Sequence, residues 1–257
     1  MHHQNLEQLK ALRLFGMARA LEELAHTRER DALTFDDQLA LLIEREAADR
    51  ANLALTHRLR RAHLRQNACL ENLDLRTPRG LDRTLVRDLA SCRWVAEHRP
   101  ILVVGPTGIG KTWIVCALGN QAARESHVVL YTRLNRLLDD LAVARLEGGA
   151  NRLLRKLARV AVLILDDFAM TELTAAQRRD LMEVIDDRHE RGATVIATQV
   201  PVERWHHQIG EPTTTGCRHR RRGCVSHYGH GSASRPLRAA AVPRVAPLRT
   251  RTSLCRS

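Results

Sequence analysis

Eight consecutive residues near the middle of the chain have the types and spacing of a phosphate-binding loop. They are Gly105, Pro106, Thr107, Gly108, Ile109, Gly110, Lys111 and Thr112. The run fits the pattern G-x-x-x-x-G-K-[ST] at every fixed position. Glycines let backbone N–H groups turn inward around phosphate oxygens, and the start of a following helix favours negative charge. In such a loop Lys111 reaches the β- and γ-phosphates of a nucleotide, and the Thr112 hydroxyl is a ligand of Mg²⁺.

The segments on either side of the loop provide the context that a nucleotide-binding loop requires. The apolar residues 101–104 precede it and predict a strand, whereas residues 113–123 have helical character. The alternative interpretation is a glycine-rich turn that binds nothing. The strand–loop–helix context argues against that alternative.

A second apolar run, further along the chain, ends in two carboxylates. Residues 160–165 are continuously apolar and include several β-branched side chains, which is typical of a strand buried on both faces. Asp166 and Asp167 follow at its carboxyl end, where ligands bind in open α/β sheets. We expect Asp166 to hold Mg²⁺, directly or through water, and Asp167 to orient or activate an attacking water. In the alternative interpretation the pair only ends the strand and caps the next helix.

Strands and helices alternate through the rest of this region. Strands are predicted at 128–131, 160–165 and 194–197, and helices at 134–146, 151–158 and 174–190. The alternation predicts a parallel sheet with helices on both faces. Gln199 follows the last predicted strand, so it is a candidate for positioning water or for sensing the terminal phosphate. An ordinary polar strand end is the alternative interpretation.

The first part of the chain, residues 1–76, is predicted to be a small helical domain. Apolar residues recur at three- and four-residue steps from Leu6 to Leu24, and a second such pattern follows a helix start at Thr34. Arginines are interleaved with the second pattern, namely Arg45, Arg50, Arg58, Arg60, Arg61 and Arg65. They form either a solvated helix face or a basic surface for DNA phosphates or a neighbouring subunit. A linker at 77–80 and a helix at 81–97 lead into the core, which we assign to residues 77–213.

Positive charge is concentrated at the end of the chain. Residues 213–257 contain ten arginines and no Asp, Glu or Lys, so they account for ten of the net charge of +12. An argument for nucleic-acid binding from the charge of the whole chain would therefore mislead. No stretch reaches the length of a membrane span, about twenty apolar residues. The first residues also lack the layout of a signal peptide, so we expect a cytoplasmic protein without membrane contact.

These segments together resemble the IstB-like ATP-binding proteins, AAA+ ATPases that assist insertion-sequence transposition and are related to DnaC-type helicase loaders. The resemblance runs from about Leu6 to Thr213. It includes the phosphate loop and the strand that ends in Asp166 and Asp167. The other matching blocks are residues 12–17, 68–71, 78–82, 89–92, 173–181, 199–206 and 209–213.

The resemblance implies an α/β fold of the AAA+ P-loop class, a parallel sheet flanked by helices and preceded by a small all-α domain. It implies ATP at residues 105–112, Mg²⁺ at Thr112 and Asp166, and ATP hydrolysis. It implies catalytic roles for Lys111, Asp166, Asp167 and Gln199, the last at the sensor position. Family members form homo-oligomers on double-stranded DNA and control a partner transposase. A DnaC-like helicase loader and a non-catalytic DNA-binding remnant are the alternative functions.

The chain departs from the family pattern after Thr213. The family continues with an amphipathic helix and a final strand beside the phosphate-loop strand, whereas residues 214–257 show no helical or strand period. A reading-frame shift near Thr213 would explain this, and so would a genuine basic, disordered tail. We therefore expect an incomplete core with an open sheet edge, lacking the arginine that completes a neighbouring subunit's site. Four other arginines are expected at the surface or at an interface: Arg178, Arg179, Arg188 and Arg191.

Overall fold

The computed structural model describes residues 2–26, 33–73, 82–205, 209 and 238–241. They belong to two units, which cover residues 1–60 and 61–257. The linker expected at 77–80 and nearly all of the segment after Thr213 lie outside the described residues, so the expectations for them stay predictions. In the part of the chain that the structure describes, no helix is long and apolar enough to cross a membrane.

Helices form the described part of the first unit, as the spacing of its apolar residues predicted. They are α1 (His2–Ala11), α2 (Phe15–His26) and α3 (Phe35–Ala62), which continues just into the second unit. The predicted start of α3 is confirmed. Thr34 Oγ1 accepts a hydrogen bond from Asp37 N at 3.2 Å, and the Asp37 carboxylate accepts one from Thr34 N at 3.2 Å. These reciprocal bonds satisfy backbone donors that a helix start leaves free.

A buried carboxylate joins two helices of this unit. Glu46 of α3 accepts a hydrogen bond from the backbone N–H of Gly16 at 2.8 Å, at the start of α2. Negative charge is favourable there, because the N-terminus of a helix carries partial positive charge. Two of the interleaved arginines also bond inside this unit. Arg50 contacts Glu46 at 2.7 Å within α3, whereas Arg45 contacts Glu23 of α2 at 2.8 Å and so joins two helices.

Among the described residues, a five-stranded sheet forms the centre of the second unit. Its strands are β1 (Ile101–Val104), β2 (Val129–Arg133), β3 (Val162–Asp166), β4 (Ala193–Thr198) and β5 (Arg238–Ala241). The order across the sheet is β2-β3-β4-β1-β5, and β1 to β4 are parallel. The predicted parallel sheet is therefore confirmed. The carboxyl ends of parallel strands meet at one edge, so the segments after β1, β3 and β4 lie close together.

Helices cover both faces of the sheet, as predicted. They are α4 (Arg83–Ala90), α5 (Arg93–Ala96), α6 (Lys111–Arg124), α7 (Leu134–Leu146), α8 (Ala150–Arg159) and α9 (Ala175–Arg188). On one face α6 approaches so closely that a Cβ at Gly119 would lie 2.8 Å from the Ile164 side chain. On the other face Leu163 and Leu165 pack with side chains of α7, α8 and α9. β3 is buried along its whole length, which its continuously apolar sequence predicted.

The prediction of a single helix over residues 81–97 is wrong. α4 ends at Ala90 and α5 begins at Arg93. Between them Cys92 adopts a left-handed conformation with φ of 53°. After this turn the indole of Trp94 is buried and donates a hydrogen bond to Leu89 O at 2.9 Å. Tertiary burial of one large side chain thus accompanies a break that the apolar periodicity did not reveal.

The prediction of an open sheet edge beside β1 is also wrong. β5 pairs antiparallel with β1, with Ile101 opposite Ala241 and Val104 opposite Arg238. Such pairing joins backbone N–H and C=O groups, so it does not require the alternating side chains that residues 214–257 lack. A short strand from the arginine-rich segment therefore lies where the family pattern has its final strand.

Arg188 lies in the protein interior rather than at the expected surface or interface. It is 2% exposed. Its guanidinium donates to Leu157 O at 2.5 Å, to Val160 O at 2.8 Å and to Ala193 O at 2.6 Å. Burial lowers the pKa of Arg188 to about 10, so it remains protonated at neutral pH. This side chain joins the end of α8 to the segments that begin β3 and β4 through hydrogen bonds to their backbone carbonyls.

We expect Arg188→Met to lower the free energy of unfolding by about 3 kcal/mol, because it removes the buried hydrogen bonds from a charged donor to three backbone carbonyls. Chemical denaturation measures this change. Arg191→Met is the matched control, since Arg191 is exposed and its loss should change stability by less than about 0.5 kcal/mol. Equal losses in the two variants would contradict the role assigned to Arg188.

Candidate functional site

The predicted phosphate loop lies between β1 and α6, at the carboxyl edge of the parallel sheet. Gly108 and Gly110 have φ values of 85° and 92°, which L side chains rarely adopt. A Cβ at either position would meet nothing within 4 Å, so the backbone conformation rather than space requires glycine. Gly110 is the last residue before α6. The N-terminal N–H groups of this helix are therefore presented beside the loop.

Lys111 is the first residue of α6 and turns back across the loop. Its Nζ donates a hydrogen bond to Pro106 O at 2.8 Å. Burial lowers the pKa of Lys111, and the negative charges of Asp166 and Asp167 oppose that shift. The ammonium group is therefore close to both the loop backbone and the carboxylate pair.

Asp166 is the most deeply buried of the predicted site residues, at 1% exposure. Its Oδ2 accepts hydrogen bonds from Thr112 Oγ1 at 2.8 Å and from Tyr131 Oη at 2.7 Å. Its Oδ1 accepts one from the backbone N–H of Asp167 at 3.0 Å. The structure therefore brings together the two residues expected to hold a metal, Thr112 and Asp166, although they are far apart in sequence.

Asp167 has a different environment from its neighbour. Its side chain is 47% exposed, and its Oδ2 lies 3.3 Å from Arg133 Nε. Its backbone is left-handed, with φ of 54°, and this turn directs the chain away from β3. Of the two carboxylates, Asp166 is enclosed by hydrogen-bond donors, whereas Asp167 is accessible to solvent at the end of the sheet.

Gln199 lies beside the phosphate loop, where its Oε1 accepts a hydrogen bond from Thr107 Oγ1. The preceding residue, Thr198, connects the two sides of the site. Its carbonyl oxygen accepts from Gly105 N at 3.2 Å, and its hydroxyl donates to Phe168 O at 2.7 Å. The end of β4 therefore joins the loop after β1 to the segment after β3.

Sequence reasoning missed two residues at this edge, Tyr131 and Arg133. Tyr131 and Arg133 lie near the end of β2, which is the neighbour of β3 in the sheet. Burial and the hydrogen bond to Asp166 raise the pKa of Tyr131, which keeps its hydroxyl protonated. The predicted strand at 128–131 was a usable signal, because the carboxyl end of any parallel strand reaches this edge. Which strand lies next to β3 was not readable from the sequence.

Comparison with known proteins identifies relatives over most of the chain. The family described as IstB-like ATP binding protein matches residues 7–221. A Sinorhizobium fredii protein described as an insertion sequence ATP-binding protein, y4pL, is 43% identical over 211 residues, covering 82% of this chain and 86% of that protein. A Pseudomonas fluorescens protein described as an ATP-binding protein of insertion sequence IS1162 is 46% identical over 202 residues, covering 78% and 87% of the two chains.

Two solved structures are similar at lower identity. The DnaC helicase loader has a TM-score of 0.48 and 21% identity, over 58% of this chain and 90% of that chain. DnaA with bound AMPPCP, from Aquifex aeolicus, has a TM-score of 0.49 and 18% identity, over 55% of this chain and 45% of that chain. The matched region thus spans less than half of the DnaA chain.

The family match covers both the candidate site and most of the helical first unit. It extends to residue 221, beyond Thr213, where the resemblance was expected to end. The sequence relatives cover more than two thirds of this chain at over 40% identity. The chain therefore belongs to the IstB-like ATP-binding proteins of insertion sequences.

Proposed function

We propose that this chain is a Mg²⁺-dependent ATPase that assembles on target DNA and regulates a partner transposase. One observation carries the ATPase part of the proposal. The Thr112 hydroxyl at the start of α6 and the buried carboxylate of Asp166 at the end of β3 lie 2.8 Å apart. This contact supports a metal site directly beside the phosphate loop.

The donor atoms at this position fit Mg²⁺. Mg²⁺ prefers oxygen ligands, and it is usually bound by one or two protein oxygens together with substrate phosphates. A hydroxyl and a carboxylate are of this type, and the described residues contain no cluster of three or more His, Cys, Asp or Glu that would bind a metal without substrate. Thr112 and Asp166 would hold the ion, and when bound Mg²⁺ would offset the negative charge that develops on the phosphates.

Each residue has a distinct role in the proposed reaction. Residues 105–112 bind the phosphates through backbone N–H groups, and Lys111 contributes positive charge at the β- and γ-phosphates. Asp167 orients the attacking water and accepts its proton, since its side chain is accessible at the edge of the sheet. Gln199, which contacts the loop through Thr107, positions that water or detects the terminal phosphate.

A row of cations on α8 supports DNA binding by the folded core. We call it the α8 stripe; it consists of Arg152, Arg155, Lys156 and Arg159. These residues are exposed and lie at steps of three and four, which places them on one face of the helix. The helix contains no acidic residue, and Leu154 and Leu157 bury its opposite face. Such a row suits the phosphate backbone of double-stranded DNA.

The names of the relatives favour transposition over helicase loading. The two sequence relatives reported above, each of which covers more than two thirds of this chain, are described as proteins of insertion sequences. We therefore propose that ATP-bound subunits form a homo-oligomer on the target duplex and engage a transposase. ATP turnover with and without duplex DNA tests this assembly, because a DNA-coupled ATPase should hydrolyse faster on the duplex. Salt-dependent DNA binding that ignores ATP would instead indicate a non-catalytic DNA-binding protein.

We expect Gly110→Ala and Gly148→Ala to destabilise the fold by a similar amount, about 1 kcal/mol, because both glycines have positive φ and open space around them. Only Gly110→Ala should weaken ATP binding, since Gly148 lies between α7 and α8. Thermal unfolding and equilibrium binding of a fluorescent ATP analogue separate the two effects. Equal ATP affinity in the two variants would contradict the assignment of the loop.

Lys111→Ala and Asp167→Asn should separate binding from hydrolysis. Lys111→Ala removes a charged phosphate contact and should lower ATP affinity by about tenfold or more. Asp167→Asn should leave that affinity unchanged and slow turnover by about a hundredfold or more, because the proton acceptor is lost. Analogue binding and phosphate release measure the two quantities. Wild-type turnover in Asp167→Asn would exclude the proposed role of this residue.

Replacing two cations of the α8 stripe, Arg155→Gln with Arg159→Gln, should weaken binding to duplex DNA and reduce its salt dependence. The slope of log K against log salt should fall in magnitude by about 0.9 for each DNA phosphate that the protein no longer neutralises. The control is Arg179→Gln with Arg191→Gln, which removes the same charge from exposed positions elsewhere. Both variants keep the ten arginines of residues 213–257, so equal slopes would show that the stripe does not contact DNA.

A further inference from the structure

Protein donors occupy most of the hydrogen-bonding capacity of the Asp166 carboxylate. An ionised carboxylate has about four lone-pair positions, two on each oxygen. Oδ2 accepts from Thr112 Oγ1 at 2.8 Å and from Tyr131 Oη at 2.7 Å. Oδ1 accepts from Asp167 N at 3.0 Å. Both positions on Oδ2 are therefore filled, and one position on Oδ1 remains for a ligand.

Tyr131 reaches Asp166 from the neighbouring strand. β2 and β3 pair in parallel register, with Tyr131 opposite Ile164 and Arg133 opposite Asp166. Side chains two residues apart on a strand lie on the same face, so Tyr131 and Asp166 share a face of the sheet. Tyr131 is 8% exposed, and a tyrosine side chain rotates about only two torsions. Its hydroxyl is therefore a rigid donor at a fixed place beside the carboxylate.

The contact from Tyr131 does not compete with the proposed metal ligand. A threonine hydroxyl has one proton and two lone pairs, so Thr112 can give a lone pair to a metal while still donating its proton to Asp166. The phenol hydroxyl of Tyr131 then fills the second position on Oδ2. A carboxylate restrained in this way cannot rotate to offer both oxygens to one ion.

We propose that Tyr131 is a positioning residue whose hydroxyl fixes Asp166, so that the carboxylate presents a single lone pair towards Mg²⁺ or towards a water bound to it. The inference rests on the proposed function. Mg²⁺ requires near-ideal octahedral geometry, whereas Ca²⁺ accepts bidentate carboxylates in flexible sites. Tyr131 therefore favours Mg²⁺ over Ca²⁺ at this site.

The test compares Tyr131→Phe with Thr132→Val in the full chain. The first variant removes only the hydroxyl that bonds to Asp166. The second variant removes the hydroxyl of the adjacent residue of β2. That hydroxyl donates to Arg133 O at 3.3 Å and does not contact Asp166. Binding of a non-hydrolysable ATP analogue is measured during titration with Mg²⁺, during titration with Ca²⁺, and in EDTA.

Tyr131→Phe should raise the Mg²⁺ concentration that half-saturates analogue binding by about tenfold, the effect of losing one hydrogen bond to a charged group. The requirement for Ca²⁺ should change less, and affinity in EDTA should stay at the wild-type value. Thr132→Val should match the wild type in all three conditions. An unchanged Mg²⁺ requirement in Tyr131→Phe would overturn the proposal. Analogue binding that is weakened equally in Mg²⁺, in Ca²⁺ and in EDTA would also overturn it, because it would indicate a merely structural role.

A double-mutant cycle and a label provide independent readouts. If Tyr131 acts through Asp166, Tyr131→Phe should add no further Mg²⁺ requirement in an Asp166→Asn background; an additive effect would overturn the proposal.

The chain contains two tyrosines, so 3-fluorotyrosine labelling gives two fluorine resonances without any substitution. The Tyr131 resonance should shift when Mg²⁺ and the analogue are added together, and a resonance that does not move would overturn the proposal. If analogue binding by the wild type does not respond to Mg²⁺ at all, the proposed function fails, and this inference fails with it.

Discussion

A carboxylate removed almost completely from water is the feature on which the site depends. Asp166 is 1% exposed, and a buried charge is tolerated only where polar partners replace its hydration. Those partners come from separate elements: Thr112 from α6, Tyr131 from β2 and a backbone N–H from the end of β3. Each element must lie where it does for the charge to stay buried. The hydrogen bonds of one side chain thus link the geometry of the sheet to that of the phosphate loop.

The order of the strands decides where each residue of the candidate site lies along the carboxyl edge of the sheet. β4 lies between β1 and β3, so the end of β4 lies between the segment that follows β1 and the segment that follows β3. Thr198 spans that gap, because it binds Gly105 N through its carbonyl and Phe168 O through its hydroxyl. Gln199 is held next to the loop by the same strand end. This position next to the loop fits the sensor role that we propose for Gln199.

The arginine-rich end of the chain contributes to the sheet through its backbone. β5 pairs with β1 over four residues. This pairing depends little on the identity of the side chains, because it joins backbone N–H and C=O groups. A sequence that arose by a reading-frame shift could meet that requirement, and so could a genuine tail. The ten arginines of residues 213–257 and the α8 stripe are two separate groups of positive charge, and the DNA binding that we propose for the core rests on the second. The α8 stripe lies on one face of its helix, and the buried leucines Leu154 and Leu157 hold the opposite face in the core.

The sequence by itself determined the loop, the carboxylate pair and the alternation of strands and helices, because these features depend on short-range spacing and on the period of apolar residues. It also located the start of α3 and the burial of β3. The tertiary structure alone decided that Tyr131 bonds to Asp166, that Arg188 lies in the interior and that residues 238–241 pair with β1. Each of these depends on which strands are neighbours and in what register, and contacts between residues far apart in sequence leave no local pattern to read.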